Sequence, residues 1–509
     1  MKRCLAFILS CAVMASCVFR RVDVEPVSTR APVAVKSAVK AHLRDGFTVV
    51  YPEGVTVTGD ALQGRGTRYD LNLQNGTPVD RVPLADVIGM ETYRTRVKPL
   101  ETTLLTSATV AGALFGASAL AYALFGSCPT VYAAGETVAQ AELFSTSIAP
   151  LFEGRDIDRV RVTPDSHGVV QLEIRNEAME THYLNHLELL EMSHAPGESV
   201  VPDHQGIPIV VGNLHTPQTA VTREGNDVRD IVGVADGTPY EADDRALARV
   251  TTTDMDDWID LTVPVEPGAT EAALVFRMRN SLLNTVLLYD VMLAPAGAAS
   301  LDWMGDDLGK ISTAVELGRW HQRRAGLHVS VWQDGTFKPA ARIPDAGPIS
   351  WHDIAAVVPV PRGEKTLRVR LSSVTDHLRI DHVAVAFSVR RPAPRAIPIE
   401  SVTSGNGTPE PAALQNLATS DETYLQTNPG HAFQVRFNAG AVAGGAARTF
   451  LLSSQGYYTE WIRGSWISNA TSGEPFMPTD DAVVSAMRKW SRTRESFEQK
   501  FFGSRVPVR

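Results

Sequence analysis

The sequence predicts a mostly β, multi-domain chain: a small sheet or barrel, then β-sandwich modules, with one apolar helical segment and a C-terminal helix. Three observations carry this. Runs with period-two alternation, such as Val55/Val57, Tyr69/Leu71/Leu73 and LRIDHVAVAFSV, are punctuated by Gly, Pro and Asn-Gly or Asp-Gly turn signals. Residues 102–127, TTLLTSATVAGALFGASALAYALFGS, hold no charged side chain and break that pattern. Near the end, Val483, Val484, Met487, Trp490, Phe497 and Phe501 recur at mostly helical spacing.

The chain begins MKRCLAFILSCAVMASC, with Lys2 and Arg3, an apolar core, and Ala15-Ser16 before Cys17. This is a secretory leader to be set aside from fold reasoning. It resembles a bacterial lipoprotein signal, which implies acylation of Cys17, although Met14 stands where such signals usually carry Leu. An ordinary signal peptide with a chance cysteine is the competing reading. Of the four cysteines, Cys4 and Cys11 leave with residues 1–16, Cys17 is the lipidation site, and Cys128 remains alone. No intramolecular disulfide framework can follow, so the cores must hold the fold. Loss of Lys2 and Arg3 takes 48 basic residues to 46 against 57 acidic, a formal charge of −11. That balance argues against nucleic acid as a partner.

Residues 17–42 lack a sustained period and read as a lipidated tether. Residues 43–100 read as a small β domain of four or five short strands, in which Arg65-Gly66-Thr67-Arg68 is a tight turn rather than a phosphate loop. The apolar segment, 101–127, is membrane-associated. Its twenty-six uncharged residues would make about 39 Å of helix, enough to cross a bilayer of about 30 Å. The high Ala, Gly, Ser and Thr content equally suits short helices lying on a surface, and burial in the protein is the third possibility. With Cys17 lipidated, a single span would send the C-terminal part across the membrane, whereas a hairpin keeps both flanks on one side.

Residues 128–250 read as a β module. Ser127-Cys128-Pro129-Thr130-Val131-Tyr132, with Ala141 to Phe144 and Ile148 to Leu151 after it, resembles a segment of uncharacterised bacterial envelope proteins. The resemblance implies a shared sheet scaffold in which Leu172 to Asn176 and Tyr183 to Glu191 are paired strands; it implies no catalytic residue. His182, His186, His194 and His204 raise a metal hypothesis. On a strand His182 and His186 lie roughly 13 Å apart, too far for one ion, so no metal site is expected.

Residues 251–389 read as a β-sandwich that looks like jelly-roll modules, with hairpin turns at Asp334-Gly335 and Arg362-Gly363. Within it, residues 281–293 are apolar enough for a buried helix or strand pair. Residues 390–418 read as a linker. Residues 419–509 read as a C-terminal β module with the terminal helix. The stretch Arg448 to Tyr458 resembles an RDF-x-L-x-S-x-GY pattern of secreted proteins, with Thr449 in place of the acid.

No G-x-S-x-G elbow, Walker loop or H-E-x-x-H is present, and no cofactor is expected. The expectation is a non-catalytic, lipid-anchored protein of the bacterial cell envelope, at the outer membrane. Its expected partners are membrane lipid through Cys17 and residues 102–127, and other envelope proteins. A glycan- or ligand-binding lipoprotein is the alternative, and a glycan-acting hydrolase the third class. The candidate interaction surface is GYYTEWIRGSW: Tyr457, Tyr458, Trp461 and Trp466, with Glu460 and Arg463 among them. As a strand it carries aromatics on both faces. They either pack the sheet and terminal helix or form a docking or sugar-stacking platform.

Overall fold

The computed structural model describes residues 20–97 and 128–508, apart from 27–32, 37–38, 44–46, 70–76, 301–302, 305–307, 309–310, 422, 441–446, 462, 464–465, 467–470, 472–478 and 504. Cys17 and the apolar segment 102–127 therefore lie outside the described residues. Among the described residues no helix is long and apolar enough to cross a membrane. The chain is mostly β, as its alternation predicts.

The N-terminal unit is an eight-stranded antiparallel sheet. It corrects the reading of residues 17–42 as a tether: Arg20–Pro26, Val33–Val35 and Val39–Leu43 are all strands of it. Each is short or closes on a proline, so no sustained period is legible in sequence, and pairing supplies what pattern does not. Arg20–Pro26 runs against Val87–Val97, with Arg20 opposite Val97. Alternate side chains Val39, Ala41, Val49, Tyr51, Val55 and Val57 fill one core. Arg65-Gly66 is no tight turn; it lies inside strand Ala61–Tyr69, at an irregularity of register. A Cβ on Gly66 would stand 2.7 Å from the Tyr51 ring, so glycine is needed there for close approach.

The next unit overturns three expected boundaries at once. Strand Val169–Arg175 pairs with Ala432–Asn438, and Glu180–His194 pairs along its length with Ala447–Glu460. Segments expected as two modules, 128–250 and 419–509, are thus interleaved in two five-stranded sheets. The expected linker is woven in as well: Arg395–Ile397 adds to Glu180–His194, Ile399–Ser404 adds to Ala432–Asn438, and Pro411–Ala418 is a helix. The strands expected to pair with each other, Val169–Arg175 and Glu180–His194, belong to different sheets. The largest core lies here. It takes in Leu172, Leu184, Phe433 and Leu452 from the sheets, Leu287 and Met292 from the apolar run, and Trp490 from the terminal helix. Leu283–Thr285 is a helical turn that continues as a π-helix, Val286–Leu293, so the apolar run is helical and buried, but in this core rather than in the sandwich.

The sandwich forms as expected, with its start moved upstream to Thr219–Thr222. One sheet has five strands in the order Thr219–Thr222, Asp256–Pro264, Thr366–Val374, Leu327–Gln333, Thr336–Ile343. The other has three, His352–Pro359, Glu271–Asn280 and Leu378–Ala386. Ile259, Leu261, Val329, Leu371, Leu274, Phe276 and Val383 interdigitate between them. Asp334 and Gly335, at φ 52° and 82°, make the expected hairpin turn of Leu327–Gln333 and Thr336–Ile343. Arg362-Gly363 is not a hairpin, because His352–Pro359 and Thr366–Val374 lie in opposite sheets. The terminal helix spans Asp480–Gly503. It buries Val483, Val484, Met487 and Trp490, and Trp490 donates its indole N–H to Asp376 at 2.6 Å.

Candidate functional site

The GYYTEWIRGSW rings do not form an exposed platform. Tyr457, Tyr458, Trp461 and Trp466 are each 2 % exposed or less. Tyr457 and Tyr458 lie on opposite faces of strand Ala447–Glu460, which is covered on both sides; the strand ends at Glu460, so Trp461 and Trp466 follow it rather than extend it. Tyr458 and Trp466 enter the large core. Tyr457 stacks on Tyr183, with ring centroids 4.6 Å apart, and meets Tyr424 edge-on. Trp461 seats the N-terminal sheet: Tyr69 meets it edge-on at 5.7 Å, Lys40 lies 4.8 Å from its ring, and Val50 packs beside it.

Of the charged members of the stretch, Glu460 is buried and Arg463 part-buried. Glu460 faces Glu180 across the strand pair, both buried. Tyr289, from the π-helix, donates its hydroxyl to Glu460 Oε1, and Arg463 donates to Glu460 Oε2 at 3.2 Å. Burial and the neighbouring Glu180 push the Glu460 carboxyl up to about 8, against the pull of Arg463. Burial holds His182 neutral, down at about 3, with its Nε2 3.1 Å from Glu180 Oε2. Glu460 thereby keeps its proton beside Glu180, and its bond with Tyr289 ties the π-helix to the sheet.

A second network lies where this unit meets the sandwich. Asp156 and Asp158 share one face of strand Gly154–Val160, and His352 opens strand His352–Pro359. His352 Nδ1 is 3.0 Å from Asp158 Oδ1, and its Nε2 is 3.3 Å from Ser350 Oγ. The spacing imitates a Ser-His-Asp relay, but three features remove that chemistry. Burial pulls the imidazole down, yet Asp158, Glu142 and Asp156 outweigh it and lift His352 to about 9, so it is an imidazolium and cannot accept a proton from Ser350. Ser350 is 1 % exposed. The amides of Ile349 and Ser350, which could serve an oxyanion, already donate to Glu142 Oε2 at 2.7 and 2.8 Å. Burial, then Asp158, raises the carboxyl of Asp156, which accepts the Phe144 amide at 3.1 Å.

Beside this network is a polar cavity of about 120 Å³, lined among others by Ser145, Thr146, Ser147, Asp156, His204 and Gln205. The Asp-x-Asp spacing puts Asp156 and Asp158 on one face of their strand, whereas Ser350 precedes the strand that His352 opens; neither pair was among the sequence-based candidates. Their convergence was not legible in sequence, since Asp158 and His352 are brought together from two separate sheets. Of the four histidines considered as metal ligands, His182, His186 and His194 fall on one strand, Glu180–His194, with a bulge between Leu184 and His186. Among the described residues no group of three or more metal-ligating side chains is close enough to hold an ion.

The outer face of the five-stranded sandwich sheet carries a third feature, absent from the sequence-based candidates. Arg223 lies 4.5 Å from the Trp258 ring centre. Arg370 sits between Trp258 and Phe337, at 4.4 and 4.3 Å. Phe337 meets Trp332 edge-on at 5.0 Å, and Arg368 covers Trp332 at 4.3 Å. Arg370 is bidentate to Asp260, at 2.7 and 2.8 Å, and Arg223 to Asp254, at 2.6 and 3.1 Å. The three rings remain part-exposed, and Arg368 is exposed.

No family model and no curated protein matches the chain. Among solved structures it is similar to a GH31 alpha-xylosidase from Xanthomonas citri, at 10% identity over 85% of this chain and 38% of that one, with a TM-score of 0.16. It is also similar to the secreted serine protease VesC from Vibrio cholerae, at 8% identity over 73% and 76% of the two chains, with a TM-score of 0.14. Infectious bursal disease virus, Gx strain, gives 9% identity over 95% and 91%, with a TM-score of 0.14. The chain spans little more than a third of the xylosidase's length, and similarities this low carry no argument.

Proposed function

We propose that the chain is a non-catalytic, lipid-anchored protein of the bacterial cell envelope, seated at the outer membrane through Cys17 and residues 102–127, with a structural or assembly role toward other envelope proteins. The observation that supports it is the register of the first sheet. Arg20 is opposite Val97, so the chain enters and leaves that sheet at one end. Cys17 stands three residues before Arg20, and residue 102 five after Val97. At no more than about 3.6 Å per residue, both membrane-seeking segments start within roughly 20 Å of that end. A shared end suits a hairpin or surface-embedded segment beside a lipid anchor, both flanks staying on one side.

Mass spectrometry of the mature N-terminal peptide tests the anchor: acylated Cys17 is expected, and an unmodified cysteine or a cut elsewhere overturns it. Membrane fractionation of the Cys17→Ser chain, with and without residues 102–127, tests the second element; unchanged fractionation after the deletion means that the segment is buried in the protein. Glycan binding is the second reading, favoured by the ring-and-guanidinium face of the sandwich.

A further inference from the structure

We infer that the outer face of the five-stranded sandwich sheet is a binding site for a carboxylated saccharide, a uronate-type oligosaccharide, laid across Trp258, Phe337 and Trp332. The inference rests on the glycan-binding reading and is independent of the lipid anchor.

An ordinary outward sheet face is polar, with long aliphatic and hydroxyl side chains. This face instead carries three large rings, each part-exposed, while the inward alternates, Ile259, Val331 and Leu371, fill the core. The rings are held rather than loose. Arg370 is wedged between Trp258 and Phe337 and is itself locked by Asp260, so the stack keeps its form without ligand. Pre-ordered rings lose little entropy on binding. From strand Asp256–Pro264 to strand Leu327–Gln333 is two strand spacings, roughly 10 Å, a span that suits an oligosaccharide rather than a single small group.

Charge sets the class. Three guanidiniums, Arg223, Arg368 and Arg370, lie over the rings of this face on a chain of formal charge −9, with the carboxylates Asp254 and Asp260 among them. Both carboxylates are taken by Arg223 and Arg370. Among the described residues Arg368 has no carboxylate partner; its contact is the face of Trp332. A guanidinium stacked on a ring still presents its N–H edge for a bidentate carboxylate. Beside it, Thr262 lies opposite Arg368, and Ser330 opposite Arg370. The Thr262 hydroxyl is shared with that of Thr219 at 2.7 Å, and both the Thr262 and Ser330 hydroxyls can donate and accept, as sugar hydroxyls require.

Titration calorimetry of the full mature chain in detergent, with an oligogalacturonate and with its methyl-esterified, neutral form, tests this. The oligogalacturonate should bind about tenfold or more tightly over the ester, and Arg368→Ala and Trp332→Ala should each weaken it by about tenfold, with unchanged melting temperature for Arg368→Ala. Arg368→Lys should restore part of the loss. Equal binding of both forms, or binding untouched by the two variants, leaves glycan binding standing and overturns this site and its charge preference. No binding of either form, or binding only to poly-glutamate or to phosphatidylglycerol vesicles, overturns the inference together with the glycan reading.

Discussion

Replacing Glu460 with Gln should flatten the pH dependence of stability. The folded chain holds this carboxyl up to about 8, against 4.5 for the ordinary group, so between those values the native state keeps a proton that the unfolded chain has released. Stability from this group is therefore fully present below pH 4.5 and is lost as pH rises through 8. At 1.36 kcal/mol per pH unit the loss approaches roughly 5 kcal/mol, and relaxation around the Glu180–Glu460 pair brings the expected change to about 2–5 kcal/mol. Glutamine keeps an acceptor for Tyr289 and carries no proton to lose. Urea denaturation at pH 5, 7 and 9, followed by tryptophan fluorescence, should show the variant gaining on the wild type by that amount toward high pH. Trp466 packs against Tyr289, with centroids 5.6 Å apart, so the signal includes the region concerned. A difference between the two proteins that stays constant with pH, or falls, refutes the reasoning.

Trp461→Ala should lower stability by about 3–5 kcal/mol, read as a fall in melting temperature, because the ring is wholly buried between the N-terminal sheet and the next unit. Gly347→Ala would place a Cβ 2.2 Å from the Glu142 carboxyl that holds Ile349 and Ser350; a loss of about 1–3 kcal/mol in denaturant melts is expected. Cys128, 1 % exposed and with its thiol pushed up by burial and then by Glu142, should resist iodoacetamide at pH 8 until the chain is unfolded, as peptide mass mapping would reveal. Gly335→Ala, at φ 82° in an exposed hairpin, should cost about 1 kcal/mol by thermal melt while leaving the fold intact.

What the sequence determined by itself is what local chemistry encodes. Alternation and turn residues mark strands, so Leu327–Gln333, Asp334-Gly335 and Thr336–Ile343 were legible as one hairpin, and helical spacing marked Asp480–Gly503. The sandwich was legible for the same reason, being built from nearby segments. Tertiary structure alone decided which strands are neighbours. Glu180–His194 pairs with a strand more than 250 residues away, and the period of a strand states which face is apolar but never which partner covers it. Hence the expected modules and linker dissolved into shared sheets. The same limit applies to the sites. Tyr457, Tyr458, Trp461 and Trp466 advertise a two-sided aromatic strand in any context; burial followed because cores lie on both faces. Trp258, Trp332 and Phe337 carry no such local signal, and they became a surface only when three separate strands, with Arg370 between the rings, were laid side by side.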